Sequence, residues 1–216
     1  MQGAVVYLGP SLPHEEARAL CPAATVLPPI RRGDLVRIID SDVSIVCIID
    51  GYFHQDAAVG HREILSVIRS GKQVLGASSM GALRAAELDT LGMEGVGTIY
   101  SLYRNGTLIS DDEVALIFDP ETFSPLSEPL VNIRCTLRHA QKSGVITGAE
   151  EALFLRIAES LFYPERTYER IIREVGGDPG ERLRSCIAHS TVDRKRLDAI
   201  MALERLNDLL DAAATA

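Results

Sequence analysis

The stretch from Gln73 to Leu88, QVLGASSMGALRAAEL, reads as a strand, a turn and a helix in direct succession. An apolar run ends at Gly76, two serines follow, and a small-residue segment with helical character begins at Met80. Two serines at such a turn have three interpretations: a nucleophile, a cradle for an anion, or a cap of the helix. The rest of the chain has to discriminate among them.

The sequence before this stretch alternates strand-like and helix-like segments. It predicts short strands at Ala4–Leu8, Ala24–Ile30 and Val43–Asp50, and helices at His14–Leu20 and Ala57–Ser70, the second ending at a glycine. This alternation predicts an α/β fold with a parallel, doubly wound sheet of the Rossmann or flavodoxin-like kind.

The second half of the chain is predicted to be mostly helical. The proline-rich stretch Asp119–Pro129 predicts a boundary between an α/β core domain, residues 1–120, and a helical C-terminal subdomain, residues 121–216. Four helices are predicted there: Val131–Ser143, Ala149–Leu161, Glu165–Val175 and Val192–Ala213. An apolar stripe on the last one favours docking onto the domain's own core, with a homodimer seam as the alternative; it comprises Leu197, Ile200, Leu203, Leu206 and Leu210.

Composition excludes several classes of protein. The 216 residues are 46% hydrophobic and carry a net charge of −8, which is typical of a globular protein and argues against a nucleic-acid surface. No apolar run is long enough to span a membrane, and the start of the chain shows no signal peptide, so we expect a cytoplasmic protein. The four cysteines and five histidines are scattered, so we expect no disulfide framework, no metal site and no cofactor.

Three loops are predicted to meet at one edge of the sheet, because ligands of parallel sheets bind at the carboxyl ends of the strands. The loop GPSLP after the first strand contains Ser11. The loop DGYFHQD contains Asp50 and Tyr52, and GASSMG contains Ser78 and Ser79. If the last two strands are neighbours, these residues come together.

The segment Ala77–Gly81, ASSMG, approximates the G-x-S-x-G nucleophile elbow, with Ser79 at its centre and Ala77 in place of the first glycine. The amides that follow, up to Gly81, and the positive end of the helix could hold an oxyanion or a bound anion. Serine is equally a favoured helix cap. We favour the anion cradle, with a catalytic serine as the second hypothesis.

Two helices bring further candidates to this region. His61 continues the apolar stripe of its helix into the first turn, where it is either functional or a satisfied half-buried histidine. Glu87 shares an apolar face with the start of its helix and needs a partner, for which Arg84 is the local candidate. A structural ion pair is the favoured interpretation of Glu87, while Arg84 could face an anion instead.

Charged residues also stand in the second half. Three adjacent acids, Asp111, Asp112 and Glu113, favour a solvated loop unless they bind a cation or arginines. Arg134 lies early in a predicted helix, where an anion contact and a salt bridge are equally compatible with the pattern. Cys135 is a weak candidate for a thiol nucleophile, because no base is placed beside it.

Several stretches, in order over residues 3–140, resemble the TfuA-like family. They are GPSL at Gly9, PPIRRGDL at Pro28, IDGYFHQDAAVGHREIL at Ile49, GASSMGALRAAEL at Gly76, GMEGVGTIYSLYRNG at Gly92, DDEVA at Asp111 and LSEPLVNIR at Leu126. The combination is specific, although each piece alone is not.

The resemblance implies a role beside YcaO enzymes, which use ATP to remodel peptide backbones, in peptide thioamidation and in the maturation of peptide toxins. It implies that the protein helps to supply sulfur, for example by hydrolysing a thiocarboxylated carrier protein of the ThiS type. The expected partners are therefore a YcaO-type enzyme and a ThiS-like carrier, with the precursor peptide contacted indirectly.

The resemblance and the local pattern together assign hypothetical roles. Ser79 or Ser78 would be the nucleophile, His61 the base, Asp50 the group that orients His61, and the amides after Ser79 the oxyanion donors. The anion-binding or substrate-binding set would include Ser11, Tyr52, Gly81, Arg84, Glu87 and Arg134. Two alternatives remain: a non-catalytic docking or activating partner of YcaO, and an unrelated serine hydrolase of small esters or peptides.

Overall fold

The structure is a computed structural model and describes residues 3–53 and 57–215. The chain divides into two compact units: Met1–Ile109 together with Lys195–Ala216, and Ser110–Arg194. This division differs from the predicted domains, residues 1–120 and 121–216, in two ways. The second unit begins at Ser110, and the residues from Lys195 onward belong to the first unit.

Five parallel strands form the sheet of the first unit: β1 Gly3–Tyr7, β2 Ala24–Leu27, β3 Val43–Ile48, β4 Gln73–Ala77 and β5 Met93–Val96. Their order in space is β2-β1-β3-β4-β5. This is the predicted doubly wound parallel sheet in its flavodoxin-like order, with the strand order reversing between β1 and β3. The neighbouring pair β3 and β4 brings the loops after them side by side.

Among the described residues before Ser110, the α-helices are α1 His14–Leu20, α2 Val36–Ile39, α3 His61–Arg69, α4 Met80–Leu88 and α5 Gly97–Arg104. The helix predicted from Ala57 begins later, at His61. The reason is local: the carboxylate of Glu63 accepts a hydrogen bond from the Gly60 N–H at 3.1 Å, and this fixes the first turn.

Helices α6 Leu130–Lys142, α7 Gly148–Ser160, α8 Tyr168–Val175 and α9 Gly177–Ile187 form the second unit. They enclose a separate apolar core that includes Leu137, Phe154, Ile172 and Leu183. Helix α9 was not predicted, because its first turn, GDPG, has the composition of a loop. Proline is nonetheless tolerated in the first turn of a helix.

The last helix, α10 Arg194–Ala214, returns to the sheet. Its residues Leu203 and Leu206 are fully buried in the same core cluster as α1 and one face of β1 and β3, whereas α2, α3 and α4 contribute to the cluster on the opposite face. The stripe therefore packs onto the protein's own core, as predicted, but onto the core of the α/β unit rather than that of the helical second unit. Leu197, also in that stripe, is instead 44% exposed.

The cysteines should differ sharply in reactivity. Cys21 and Cys47 are fully buried, and burial raises the pKa of the Cys47 thiol to about 12. Because only the thiolate is nucleophilic, neither should react with iodoacetamide at pH 8 in the folded protein, whereas the half-buried Cys135 and Cys186 should. Mass spectrometry after native labelling checks this, and labelling of Cys47 before unfolding would contradict it.

Candidate functional site

The candidate site lies at the carboxyl ends of β1, β3 and β4. The strand order reverses between β1 and β3, and loops on either side of such a reversal separate to leave a crevice. The loop after β1 contributes Ser11, the residues after β3 contribute Asp50, and the turn after β4 contributes Ser78 and Ser79. The prediction that these loops meet is therefore confirmed.

Asp50 is the centre of a buried hydrogen-bond network. Its Oδ2 atom accepts hydrogen bonds from the N–H groups of Gly9 and Ser11, both at 2.9 Å. Its Oδ1 atom accepts the Ser11 hydroxyl at 2.7 Å. The residue is only 1% exposed, so these donors take the place of water around the carboxylate.

Ser78 joins this network through its hydroxyl, which donates to Ser11 Oγ at 2.9 Å. Its backbone has φ of +64°, in the left-handed region that side-chain-bearing residues rarely adopt. Such strain is tolerated where the surrounding structure imposes it, and it recurs at functional turns. Ser78 and Ser11 thus form a continuous hydroxyl chain to the Asp50 carboxylate.

The left-handed φ lies at Ser78, one residue before the serine that the spacing placed at the centre of the elbow. With Ser78 as the centre, Gly76 matches the first glycine of the motif, and Met80 takes the place of the second. That alternative alignment was present in the sequence as G-A-S. Spacing alone did not show which serine has a positive φ.

Lys195 is a buried charge beside Asp50 that the sequence analysis missed. It lies in the first turn of α10, is 2% exposed, and places Nζ 3.7 Å from Asp50 Oδ1. The sequence analysis placed Lys195 in the predicted helix Val192–Ala213 but assigned it no role. The sequence feature that could have identified Lys195 is the buried face of α10. Lys195 precedes Ala199 by four residues and therefore lies on the same face of the helix.

Asp198, one turn further along α10, is a second buried charge that the sequence analysis missed. Its Oδ2 atom accepts the Ile99 N–H at 2.6 Å, in the first turn of α5. The contact is close, since a Cβ atom on Gly97 would lie 2.6 Å from the Asp198 carboxyl carbon. It fixes the start of α10, and therefore Lys195, against the first unit.

Ser79 occupies the position before the first turn of α4 and is buried. No described residue forms a hydrogen bond with its hydroxyl, so it does not cap the helix through its side chain. Its N–H donates to the Ala77 carbonyl at 2.8 Å, and the Gly81 N–H donates to the Ile49 carbonyl at 3.2 Å. Gly81 is one of the amides predicted to hold an oxyanion, so that amide and the neighbouring Ser79 amide are both engaged in this structure.

Gly81 has a packing role. A Cβ atom at this position would lie 1.7 Å from the Ile48 carbonyl oxygen, and one at Gly76 would lie 2.2 Å from the Gly81 oxygen. These two glycines let α4 approach β3 and β4 at backbone distance. The close approach brings the start of α4 to the turn that contains the serines.

His61 is paired with Glu87 rather than with Asp50. Its Nε2 atom lies 2.7 Å from Glu87 Oε2, and the Arg84 guanidinium contacts the same oxygen at 2.7 Å. The predicted Arg84–Glu87 ion pair is thus confirmed. Glu87 follows Ser79 by eight residues, about 12 Å along a helix axis, so the structure does not bring His61 to the serines. The His61 side chain is 49% exposed.

Tyr52 contacts an arginine beside the site. Its hydroxyl accepts a hydrogen bond from Arg31 Nη2 at 2.6 Å, and the Arg31 guanidinium carbon lies 4.2 Å from the centre of the Tyr52 ring. Arg31 was not among the predicted site residues. Its position follows from an isolated parallel bridge between Ile30 and Gly51, which extends pairing beyond the end of β3.

Arg134 belongs to the second unit and forms salt bridges there. Its guanidinium donates two hydrogen bonds to Glu113 Oε1 and one to Oε2, at 2.8–3.0 Å, and contacts Glu159 at 2.7 Å. Asp112 pairs with the buried Arg166 at 2.6 Å. Arginines therefore bind two of the three adjacent acids, in place of the favoured solvated loop, and the salt-bridge interpretation of Arg134 is the one observed.

A protein-family profile described as TfuA-like protein matches residues 50–167, more than half of the chain. The chain belongs to the TfuA-like family. This confirms the resemblance inferred from the motifs, and the family is known for accessory proteins associated with YcaO enzymes. No curated protein matches the chain in a sequence comparison.

The TfuA-like match covers only part of the buried network. Asp50, Ser78 and Ser79 lie inside the matched residues, whereas Ser11 and Lys195 lie outside them. The network is thus completed by side chains from both ends of the first unit. Neither of these two could have been located from the family match alone.

Within residues 3–53 and 57–215, no group of three or more His, Cys, Asp or Glu side chains is arranged to hold a metal ion. None of the helices described there combines the length and apolar character that crossing a membrane requires.

Proposed function

We propose that this TfuA-like protein hydrolyses the thiocarboxylate of a ThiS-type sulfur-carrier protein and so supplies sulfide to a YcaO enzyme for peptide thioamidation. One observation carries the proposal: the strained, buried Ser78 is hydrogen-bonded through Ser11 to Asp50, against which Lys195 is placed. A serine at a strand-to-helix turn, linked by hydrogen bonds to a buried carboxylate, can supply the nucleophile and the base that acyl transfer needs.

The proposed reaction has two steps. The Ser78 oxygen attacks the thioacyl carbon, the carbon–sulfur bond breaks, and the sulfur leaves as sulfide while an acyl-serine ester forms. Water then attacks the ester, releases the carrier with a terminal carboxylate, and restores the Ser78 hydroxyl. The overall change consumes one thiocarboxylate and one water and yields one carboxylate and one hydrogen sulfide, with no change in oxidation state.

In the proposed reaction, the side chains of the network transfer the proton of Ser78 in successive steps. The Ser78 proton passes to Ser11, whose own hydroxyl is directed at Asp50. Asp50 takes the transferred proton beside the Lys195 ammonium and returns it to the leaving sulfur. In the second step Asp50 takes a proton from the attacking water, and that proton restores the Ser78 hydroxyl. Burial keeps this route away from bulk solvent.

Stabilisation of the oxyanion falls to Ser79 and the start of α4. The Ser79 hydroxyl has no partner among the described residues and lies at the positive end of the helix. A donor aimed at the developing charge would contribute about 10²–10³-fold to the rate. This assigns both serines of the turn, one as nucleophile and one as donor.

A second candidate function is a docking partner that activates YcaO without catalysing sulfide release. The specific observation that favours it is the engagement of the Ser79 and Gly81 amides, which reduces the number of oxyanion donors at the turn. On this reading the three strand-end loops form a binding face, and the buried network fixes their conformation.

The discriminating experiment measures sulfide release from a purified thiocarboxylated carrier, with the TfuA-like protein alone and no YcaO. Release well above the spontaneous rate supports hydrolysis. Equal rates with and without the protein would reject it, and thioamidation by YcaO in abundant free sulfide would then be measured. Faster thioamidation in the presence of the protein under that condition would support the docking function.

A further inference from the structure

Arg31 is an exposed arginine at the same sheet edge as Asp50, and its guanidinium is hydrogen-bonded to Tyr52, with the charge of Asp34 nearby. The Arg31 guanidinium forms no salt bridge with any residue in the described ranges 3–53 and 57–215. Its backbone N–H, by contrast, donates to Asp34 Oδ2 at 2.7 Å. Many other arginines of the chain are salt-bridged, among them Arg84, Arg134, Arg166 and Arg205.

The backbone places Arg31 at the same sheet edge as Asp50. The Ile30 N–H donates to the Asp50 carbonyl at 2.9 Å, and the Tyr52 N–H donates to the Ile30 carbonyl at 3.1 Å. Arg31 therefore directly follows Ile30, whose backbone is hydrogen-bonded to the residues before and after Gly51. In a parallel pair, the facing backbones lie about 4.8 Å apart. The backbone of Arg31, next to Ile30, therefore lies close to the backbone of Asp50.

Two sets of contacts hold Arg31 in place. Tyr52 accepts one of its N–H groups at 2.6 Å and lies against the guanidinium face, with 4.2 Å to the ring centre. The loop that follows is fixed as well: the Arg32 N–H donates to the Ala57 carbonyl at 2.8 Å, and the Gly33 N–H donates to Glu63 Oε2 at 2.6 Å. The Arg31 side chain is exposed, yet these contacts restrict it, so it loses little conformational entropy when a ligand binds.

Arginine has five N–H donors in a planar arrangement that matches a carboxylate. With one of them on Tyr52, Arg31 keeps enough donors for a two-pronged contact with a planar anion. A local cation is also needed to attract such an anion, because the chain as a whole carries a net charge of −8.

We propose that Arg31, held by Tyr52, is an anion-binding subsite that takes the C-terminal thiocarboxylate or carboxylate of the carrier protein. The inference rests on the proposed function for the identity of its ligand, but not on turnover. Neutralising the terminal charge at this position also favours attack on the adjacent carbon, because a nucleophile is otherwise repelled by the anion.

The test uses two synthetic peptides that contain the last eight residues of the carrier, one ending in a free carboxylate and one in a carboxamide. Fluorescence anisotropy should show that the parent binds the carboxylate peptide about ten-fold more tightly, the effect of one charge-assisted contact. Arg31→Gln should remove this preference and leave amide binding unchanged. Arg31→Lys should restore part of it, since the charge returns without the planar donors.

Arg18→Gln is the matched control, because Arg18 is an exposed arginine of α1 in the same unit. It should leave both affinities unchanged. Failure of the parent to bind either peptide, equal affinity of the parent for both, or an equal loss for both in Arg31→Gln would overturn the subsite. A preference that depends on Arg31 in a protein that releases no sulfide would support the subsite and reject hydrolysis. Sulfide release by a protein that shows no preference for the carboxylate peptide would support hydrolysis and reject the subsite.

Discussion

Replacing Ser78 by alanine is expected to lower sulfide release from a thiocarboxylated carrier by about a thousand-fold or more, to near the spontaneous rate. The substitution removes the attacking oxygen and leaves the Ser11–Asp50 hydrogen bond in place. Loss of a nucleophile in serine enzymes commonly costs at least this factor, with a residue of activity left from binding and oxyanion donors. The measurement is the initial rate of sulfide release at saturating carrier.

Ser79→Ala and His61→Gln are the comparison variants. Ser79→Ala removes an oxyanion donor from the same turn, so a smaller loss, about a hundred-fold, is expected. His61→Gln should stay within about two-fold of the parent, because His61 contacts Glu87 and Arg84 rather than the serines. Near-parent activity in Ser78→Ala, with Ser79→Ala inactive and both folded by circular dichroism, would transfer the nucleophile to Ser79.

Replacing Asp50 by alanine is expected to reduce the free energy of unfolding by about 3–5 kcal/mol. The change removes the acceptor of two backbone N–H groups and one hydroxyl, and it leaves the Lys195 ammonium without this carboxylate in a site that is 2% exposed. Both effects act in the same direction, because buried donors and a buried cation lose their compensation together.

Urea denaturation followed by circular dichroism measures this effect. Asp42→Ala provides the control, since Asp42 is an exposed aspartate in the same unit and its loss should change the free energy by less than about 0.5 kcal/mol. Lys195→Met should be milder than Asp50→Ala, because the three donors to Asp50 remain. If the midpoints of Asp50→Ala and Asp42→Ala coincide, Asp50 does not hold the loops together.

Much of the first unit could be predicted from the sequence, because β/α alternation and buried apolar runs are strong local signals. The strands β1, β3 and β4 and helix α1 were identified nearly at their observed bounds. Strand β5 was missed, since its four residues, MEGV, contain a charge and a glycine. Helix α2, also of four residues, is too short to show a period of 3.6.

The site was predicted in part, for reasons that differ by residue. Ser11, Asp50 and Ser78 follow from the rule that ligand sites occupy strand ends. Lys195 does not, because it comes from a helix that is distant in sequence, and strand-end reasoning considers only the loops after strands. His61 was placed by helical periodicity, which shows the face of a residue but not its partner. Choosing Ser78 over Ser79 requires the backbone angle, which no spacing contains.

The return of α10 to the sheet has a consequence for synthesis. A ribosome makes the strands and both serines of the turn first, then all of Ser110–Arg194, and only afterwards Lys195. Contacts between segments so distant in sequence form late in folding, because the chain between them must first be ordered or looped out. A nascent chain thus lacks the ion pair on Asp50, and the proposed chemistry begins only when translation has delivered the last helix.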